Sequence, residues 1–514
     1  MVKKQVAELL LVVLIAAYPL AAVSNAQFTM GGIKVIGVPG ESAEVNSFLG
    51  VPFAQAPTGP LRWLPPQAWQ GQQKISYKAD KFAPACFQGP HISNWYKNVV
   101  SGFGGDPDSV VLPKVSEDCL YLNIWQPAAS ADKPFPVIVF IHGGSNKGGW
   151  SYEPNYLSEG LAAKGVIVVT IAYRLGIFGH FSHPDLEYSN FGLLDQIMAL
   201  HWVQSNIKAL SGDPENVTVM GESAGANNID FLLASPLSRG LFQRVIHQSG
   251  GSGVTGTSSR QDHLDLGGEF VSKLLGGFNE NAVQKMRQIP AERILASADD
   301  VYQGHSFGPV VDGHSVVSSL HGAVQDNRLY PVDLLIGTND DEWLMYLEGE
   351  PVVSSWLADN VNEQQAALLK SALASETEAE RRLDLLITAN AFVCPSLLLA
   401  AKLSEQKQQV WVYQFLRQRP GQLAASMGAY HGAELPYIFD THDTWLPTDV
   451  IDQRLTNRMQ AYWVAFATTG NPNGAGRPYW LAYRDHEPTV QMLDDKISSG
   501  RHGSQGLCDV LLPI

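Results

Sequence analysis

Cysteine is scarce in this chain: four residues in 514, at positions 86, 119, 394 and 508. The gaps between them are too wide for a C-x-x-C pair, which excludes a zinc site of that type. Cations are few and unclustered. Lys and Arg number 35 against 50 Asp and Glu, for a formal charge of −15, and no basic run offers a footprint for nucleic acid or an anionic membrane surface. Beyond residue 26 no stretch reaches the ~18 consecutive apolar residues of a membrane span, so stable membrane insertion is not expected. Internal repeats and extended low-complexity segments are absent as well. What is present is an ordinary globular composition, 45% hydrophobic and 17% charged, which excludes disordered and collagen-like classes and provides for a large core.

Residues 1–26 stand apart. Lys3 and Lys4 form a basic start, residues 9–23 are apolar, and Ser24 and Ala26 put small side chains at the two positions a signal peptidase reads. The expectation is a signal peptide cleaved after Ala26, leaving residues 27–514 as one exported domain, periplasmic or extracellular; an uncleaved anchor is the alternative. In an oxidising compartment an even cysteine count points to two disulfides, for which four cysteines allow three connectivities.

From residue 31 to 66, Gly and Pro punctuate short apolar runs such as Ser47-Phe-Leu-Gly-Val-Pro-Phe53, a pattern of strands and turns. Residues 67–116 read as a long loop containing Trp95, Tyr96 and the glycine-rich Ser101-Gly-Phe-Gly-Gly105, with Cys86 and Cys119 placed toward its ends to staple it. From Glu117 onward, strand-like runs alternate with helical spacing. Residues 118–125, 136–141 and 165–172 read as strands, the last apolar enough for burial on both faces. Residues 194–210 have helical spacing, with Ile197, Leu200, His201, Ile207 and Leu210 on one side. Residues 242–247, 331–337 and 409–415 read as further strands. Residues 281–288 and 361–408 read as helices between strands, forming a lid or lobe, and residues 250–259 as a Gly/Ser/Thr loop after a strand end. The sum is an α/β fold with a large, mostly parallel sheet covered by helices on both faces.

One stretch in that order carries chemistry: Asn216-Val-Thr-Val-Met-Gly-Glu-Ser-Ala-Gly225. A short buried strand runs into Gly-x-Ser-x-Gly, a sharp turn that lifts the Ser223 hydroxyl above the sheet at the start of a helix, and small flanking residues are needed because the turn is crowded. A serine hydroxyl is a poor nucleophile at neutral pH, so it needs a base and the base needs an orienting carboxylate. On a turn of this kind both follow the serine in chain order. Gly337-Thr-Asn-Asp-Asp-Glu342 follows a strand and leaves Asp340, Asp341 and Glu342 as candidates. His431, His442, His486 and His502 are the remaining bases. Of these, His431 sits in the small-residue loop Gly428-Ala-Tyr-His-Gly-Ala-Glu434, suited to reach into a crevice. His142-Gly-Gly-Ser145 follows the 136–141 strand, and its backbone N–H groups, with that of Ala224, suit an oxyanion.

Together these stretches resemble the type-B carboxylesterases, the carboxylesterase and cholinesterase family. Gly50-Val-Pro-Phe-Ala-Gln-Ala-Pro57 with Gly59-Pro-Leu-Arg62, Glu117-Asp-Cys-Leu-Tyr-Leu-Asn123, Asn190-Phe-Gly-Leu-Leu-Asp-Gln196, Gly221-Glu-Ser-Ala-Gly225 and His431-Gly-Ala-Glu-Leu435 are similar to its signatures, over nearly the whole mature chain. The resemblance implies an α/β-hydrolase fold with a helical lobe over the active site, and a serine carboxylesterase acting on small-molecule esters through an acyl-enzyme. It implies Ser223 as nucleophile, Glu342 as acid, His431 as base, and Gly144, Ser145 and Ala224 as oxyanion donors, with no metal or organic cofactor. Glu222 and Ser249 match positions that support the nucleophile without reacting, and disulfides Cys86–Cys119 and Cys394–Cys508 are implied.

The chain also departs from that family. Ser145 stands where Gly or Ala is usual, and Asn146-Lys147 replaces an aromatic neighbourhood, which makes the pocket wall more polar. Lys147 reads either as a solvated lysine or as a cation favouring an acyl or leaving group that carries a carboxylate. Ser109-Val-Val-Leu occupies the stretch where cholinesterases hold an aromatic for a quaternary ammonium, so a choline ester is not expected. Two further readings share the fold: a lipase or polymer-ester hydrolase on the same triad, and a non-catalytic binding protein, a class that generally lacks the serine. The oligomeric state is left open.

Overall fold

The computed structural model describes residues 26–512 apart from 72–74, 256–257, 278–279, 348, 350–351 and 485. The expected signal peptide, up to residue 25, lies outside the described residues. The frame is an 11-stranded sheet. In chain order its strands are β1 (Val38–Pro39), β2 (Val45–Pro52), β3 (Tyr121–Pro127), β4 (Phe135–Ile141), β5 (Ile167–Ile171), β6 (Gly212–Glu222), β7 (Arg244–Gln248), β8 (Asp333–Asn339), β9 (Val410–Phe415), β10 (Val490–Leu493) and β11 (Ser498–Gly500). Their spatial order is β11-β10-β9-β8-β7-β6-β4-β5-β3-β2-β1. Every pairing from β10 across to β5 is parallel. The flanks, β11 on one side and β3, β2 and β1 on the other, pair antiparallel.

Alternation along the central strands feeds two cores. Val137, Val139 and Ile141 of β4 join Val217, Val219 and Leu334 in one layer, while Ile138 and Phe140 join Met220, Ile246 and Leu335 in the other. All seven residues of β4 and all five of β5 are buried, as parallel strands covered on both faces require. Helices Phe191–Asn206, Ala224–Ala234 and Cys394–Glu405 contribute to the first layer. The long helix Val450–Thr469 covers the second with Leu455, Met459, Tyr462, Trp463 and Phe466. This is the α/β-hydrolase architecture, with a helical lobe contributed by residues 260–301 and 353–405.

Several boundaries differ from the sequence reading for identifiable reasons. Residues 67–116 are not a continuous loop, since His91–Gly102 is a 12-residue helix burying Ile92, Tyr96, Val99 and Val100. β6 starts at Gly212, ahead of Pro214, because a register shift between Gly212 and Val217 accommodates the proline. His201 is exposed while Ile197, Leu200, Ile207 and Leu210 are buried, so the helix narrows its apolar face to the aliphatic positions. Within the 27-residue helical stretch Ala379–Glu405 an 18-residue window reaches a mean hydropathy of 1.8, long and apolar enough to cross a bilayer, yet 72% of that window is buried within this fold. Cys86 joins Cys119 and Cys394 joins Cys508, with Cα–Cα separations of 4.9 and 5.1 Å. Two disulfides are consistent with an exported protein.

Candidate active site

Adjacent parallel strands end at one rim of the sheet, and the residues of interest follow those ends: Gly144 and Ser145 after β4, Ser223 after β6, Ser249 after β7, Glu342 after β8 and His431 after β9. That rim is where open α/β sheets place ligands. Ser223 has φ 55° and ψ −123°, a left-handed turn between β6 and the helix Ala224–Ala234. Its flanking glycines have no room for a side chain. A Cβ on Gly221 would lie 2.7 Å from the Gly225 carbonyl carbon, and one on Gly225 would lie 2.0 Å from the Ile141 oxygen.

The carboxylates of the turn after β8 are separated by their partners. Asp340 and Asp341 both bind Arg381, and Asp341 also accepts the Ala429 N–H at 2.7 Å. Glu342 instead accepts from His431 Nδ1 at 2.7 Å and from the Asn339 N–H at 2.7 Å, and it is completely buried. Among the other histidines, His442 bonds Arg419 and Thr456, His502 lies against Thr338, and His486 is exposed. Among the described residues, only His431 is hydrogen-bonded to a carboxylate of this turn.

His431 Nε2 lies 3.2 Å from Glu222 Oε1, and the Ser223 hydroxyl makes no hydrogen bond among the described residues. Burial of the imidazole lowers its proton affinity, but Glu222, the hydrogen bond and charge of Glu342, and Glu434 outweigh that and hold His431 up at about 9. Burial pushes Glu222 up to about 8 against the pull of His431, with Glu434, Glu342 and Glu153 acting in the same direction as burial. Both groups are biased toward keeping a proton. Ser249 is buried, with φ 50°, and its N–H donates to the Gly337 oxygen; it braces the rim from behind and does not line the cavity.

The loop after β4 presses on Ser223. A Cβ on Gly143 would lie 2.7 Å from Glu222 Oε2 and 2.9 Å from Ser223 Cβ. Gly144 and Ser145 follow at φ 100° and 56°, and their N–H groups, like that of Ala224, donate no hydrogen bond among the described residues. All three residues face a cavity of about 690 Å³ that also takes in Ser223, Glu222 and His431. Its other walls come from the helix His91–Gly102 (His91, Ile92, Trp95), from Trp343, Tyr346 and Phe392, and from residues 304–307.

A model of the carboxylesterase family matches residues 29–509. The chain belongs to that family. Among similar curated proteins, a para-nitrobenzyl esterase of Bacillus subtilis (strain 168) is 33% identical over 88% of this chain and 92% of its own length. A fumonisin B1 esterase of Sphingopyxis macrogoltabida is 31% identical over 94% and 90%. Among solved structures, a PNB esterase superposes with a TM-score of 0.79 at 30% identity, covering 95% of this chain and 100% of its own. A Geobacillus stearothermophilus carboxylesterase gives 0.79 at 28%, covering 94% and 99%. This carboxylesterase is a carboxylic ester hydrolase.

Some residues of the carboxylesterase site lie outside the sequence reading. Asn339 Nδ2 donates to Glu434 Oε2 at 2.6 Å and to the Tyr430 oxygen at 2.8 Å, and Gln248 Nε2 donates to Glu434 Oε1 at 2.9 Å. This buried network ties the ends of β7 and β8 to the histidine loop. In the sequence, Asn339 and Glu434 stand in the stretches 337–342 and 428–434, but nothing there joins them or points to Gln248. Among the described residues no cluster of His, Cys, Asp and Glu could hold a metal ion.

Proposed function

We propose that this carboxylesterase works as an exported single domain, residues 27–514, through an acyl-enzyme on Ser223. In this reading His431 takes the serine proton as Oγ attacks the ester carbonyl. The N–H groups of Gly144, Ser145 and Ala224 stabilise the oxyanion, and Glu342 fixes the imidazole tautomer through Nδ1. His431 then returns the proton to the leaving alcohol; a water activated by the same imidazole releases the acid and frees Ser223. Every step is a proton or acyl transfer, with no redox change, so the chemistry calls for no metal or organic cofactor. Productive binding requires Nε2 to turn from Glu222 to the Ser223 hydroxyl, an alignment that free enzymes commonly complete only with substrate bound.

The observation that carries the proposal is the 2.7 Å contact of His431 Nδ1 with buried Glu342, beside three free N–H groups and a strained serine in one cavity. The test is hydrolysis of p-nitrophenyl esters of increasing acyl length by residues 27–514 and by Ser223→Ala. Turnover should fall by about 10⁴-fold or more in the variant, and a phosphonate probe should label Ser223. Equal turnover in both proteins would overturn the reading.

A further inference from the structure

Resting on the acyl-enzyme reading, we infer that Lys147 sets acyl specificity and that the preferred substrates carry a carboxylate on the acyl chain, as half-esters of dicarboxylic acids do. The direction follows from proton bookkeeping. His431 must hand its proton to the leaving oxygen, so the alcohol lies on the His431 side of the cavity. That side is aromatic: the Tyr346 and Phe392 rings lie 6.5 and 5.2 Å from the imidazole, and Trp95 Nε1 donates to the Tyr346 hydroxyl at 2.7 Å. The carbonyl oxygen points at Gly144 and Ser145. The wall left for the acyl chain includes Asn146, Lys147, His305, Ser306 and Phe307, with Ile92 and His91 beside it.

That wall is polar and cationic. Lys147 is half-buried, with its ammonium 5.7 Å above the Phe307 ring, and it makes no ion pair with a carboxylate within 4.0 Å among the described residues. The acid that feels its charge is Asp299, exposed on the helix Ala291–Val301. Asn146 is buried and fixed, donating to the Phe307 oxygen at 3.2 Å and accepting from Asn228 at 2.9 Å, so the wall is held in place around the cation. A second compartment of about 270 Å³ shares Asn146, Asn227, Ser306 and Phe307 with the main cavity and gives an extended acyl group room. A cation in a half-desolvated wall, facing a mobile anion, is worth about a tenfold preference.

The experiment compares kcat/KM for three esters followed by alkali uptake at pH 8: monoethyl adipate, ethyl hexanoate, and carboxymethyl hexanoate, which carries its charge on the alcohol. The ratio of adipate to hexanoate should fall about tenfold in Lys147→Met, recover in Lys147→Arg, rise in Asp299→Asn and decline with added NaCl. Ethyl hexanoate turnover in each variant reports that the site has folded. An unchanged ratio in Lys147→Met would overturn the inference, as would a loss confined to carboxymethyl hexanoate, which would put the cation on the alcohol side. Turnover that survives Ser223→Ala would remove the acyl-enzyme reading itself, a separate failure visible on the neutral ester alone.

Discussion

At the scale of single residues, the pair His431 and Glu222 makes the pH profile informative. Base catalysis needs neutral imidazole, and His431 is held up at about 9 from an ordinary 6.5, so kcat/KM should rise with pH to a midpoint above 6.5. Glu222 is the largest of the causes that raise it. Glu222→Gln removes that charge, leaves burial acting downward, and should move the midpoint to lower pH. A kcat/KM profile from pH 5.5 to 9.5 checks this; coincident midpoints in the two proteins would refute it. Glu342→Gln should leave the fold intact and cost about 10⁴-fold in kcat, because Nδ1 would lose the carboxylate that fixes its tautomer. The Ser223 turn and the His431 loop, which the structure brings to one cavity, were legible from their motifs and order. The choice among Asp340, Asp341 and Glu342 was not legible from the residues alone, since all three share one turn. What separates them is Arg381, which binds Asp340 and Asp341 from a helix about forty residues downstream, and only the family resemblance singled out Glu342.

At the scale of elements, the tight fit at the turn after β6 predicts an asymmetry between glycines. Gly225→Ala drives a methyl to within 2.0 Å of the Ile141 oxygen in β4, where backbone cannot yield, and overpacking of this kind costs about 1–3 kcal/mol or more. Gly240 has φ 80° but nothing within 4 Å of a Cβ, so Gly240→Ala carries only backbone strain of about 1 kcal/mol. Calorimetry and ester turnover should show Gly225→Ala losing both stability and activity, and Gly240→Ala keeping its activity; equal losses would contradict the packing argument. The helix His91–Gly102 shows where element reading fails. Its apolar positions 92, 96, 99 and 100 have helical spacing, but Pro90 caps it without a side-chain hydrogen bond and its glycine-rich end resembles loop. Of the helical lobe, the stretches 281–288 and 361–408 were foreseen as helical, but not the helices Arg260–Leu275 and Ala291–Val301, nor the π turn at Ala389–Val393. Pro395 cannot donate an N–H back to residue 391, so the helix widens there and carries Phe392 against His431.

For the whole molecule, the two disulfides divide labour in a way that stability and kinetics can separate. In the chain-entropy model, closing 114 residues between Cys394 and Cys508 contributes about 5 kcal/mol, and closing 33 between Cys86 and Cys119 about 4 kcal/mol. Unfolding entropy scales with chain length, so in a body of this size either loss lowers Tm by only about 4–5 °C. The consequences for substrate differ. The Cys86–Cys119 loop contains the helix His91–Gly102, which brings Ile92 and Trp95 to the cavity. Without the disulfide that helix is held by lateral contacts: Gln88 with the Gly149 backbone at 2.8 Å, Tyr96 with Glu153 at 2.9 Å, and Trp95 with Tyr346 at 2.7 Å. With the buried Ile92, Tyr96, Val99 and Val100, these should keep it near the fold while loss of the cross-link loosens its register against the cavity. Replacing Cys86 and Cys119 together by serine should therefore raise KM for p-nitrophenyl esters severalfold as well as lowering Tm. The same change at Cys394 and Cys508, which pins the C-terminal helix Gln505–Leu511 beneath the lobe, should lower Tm with a smaller effect on KM. If KM is unchanged in the first pair of substitutions, the cavity wall is set by side-chain contacts alone, and the disulfide acts on the unfolded chain rather than on the site.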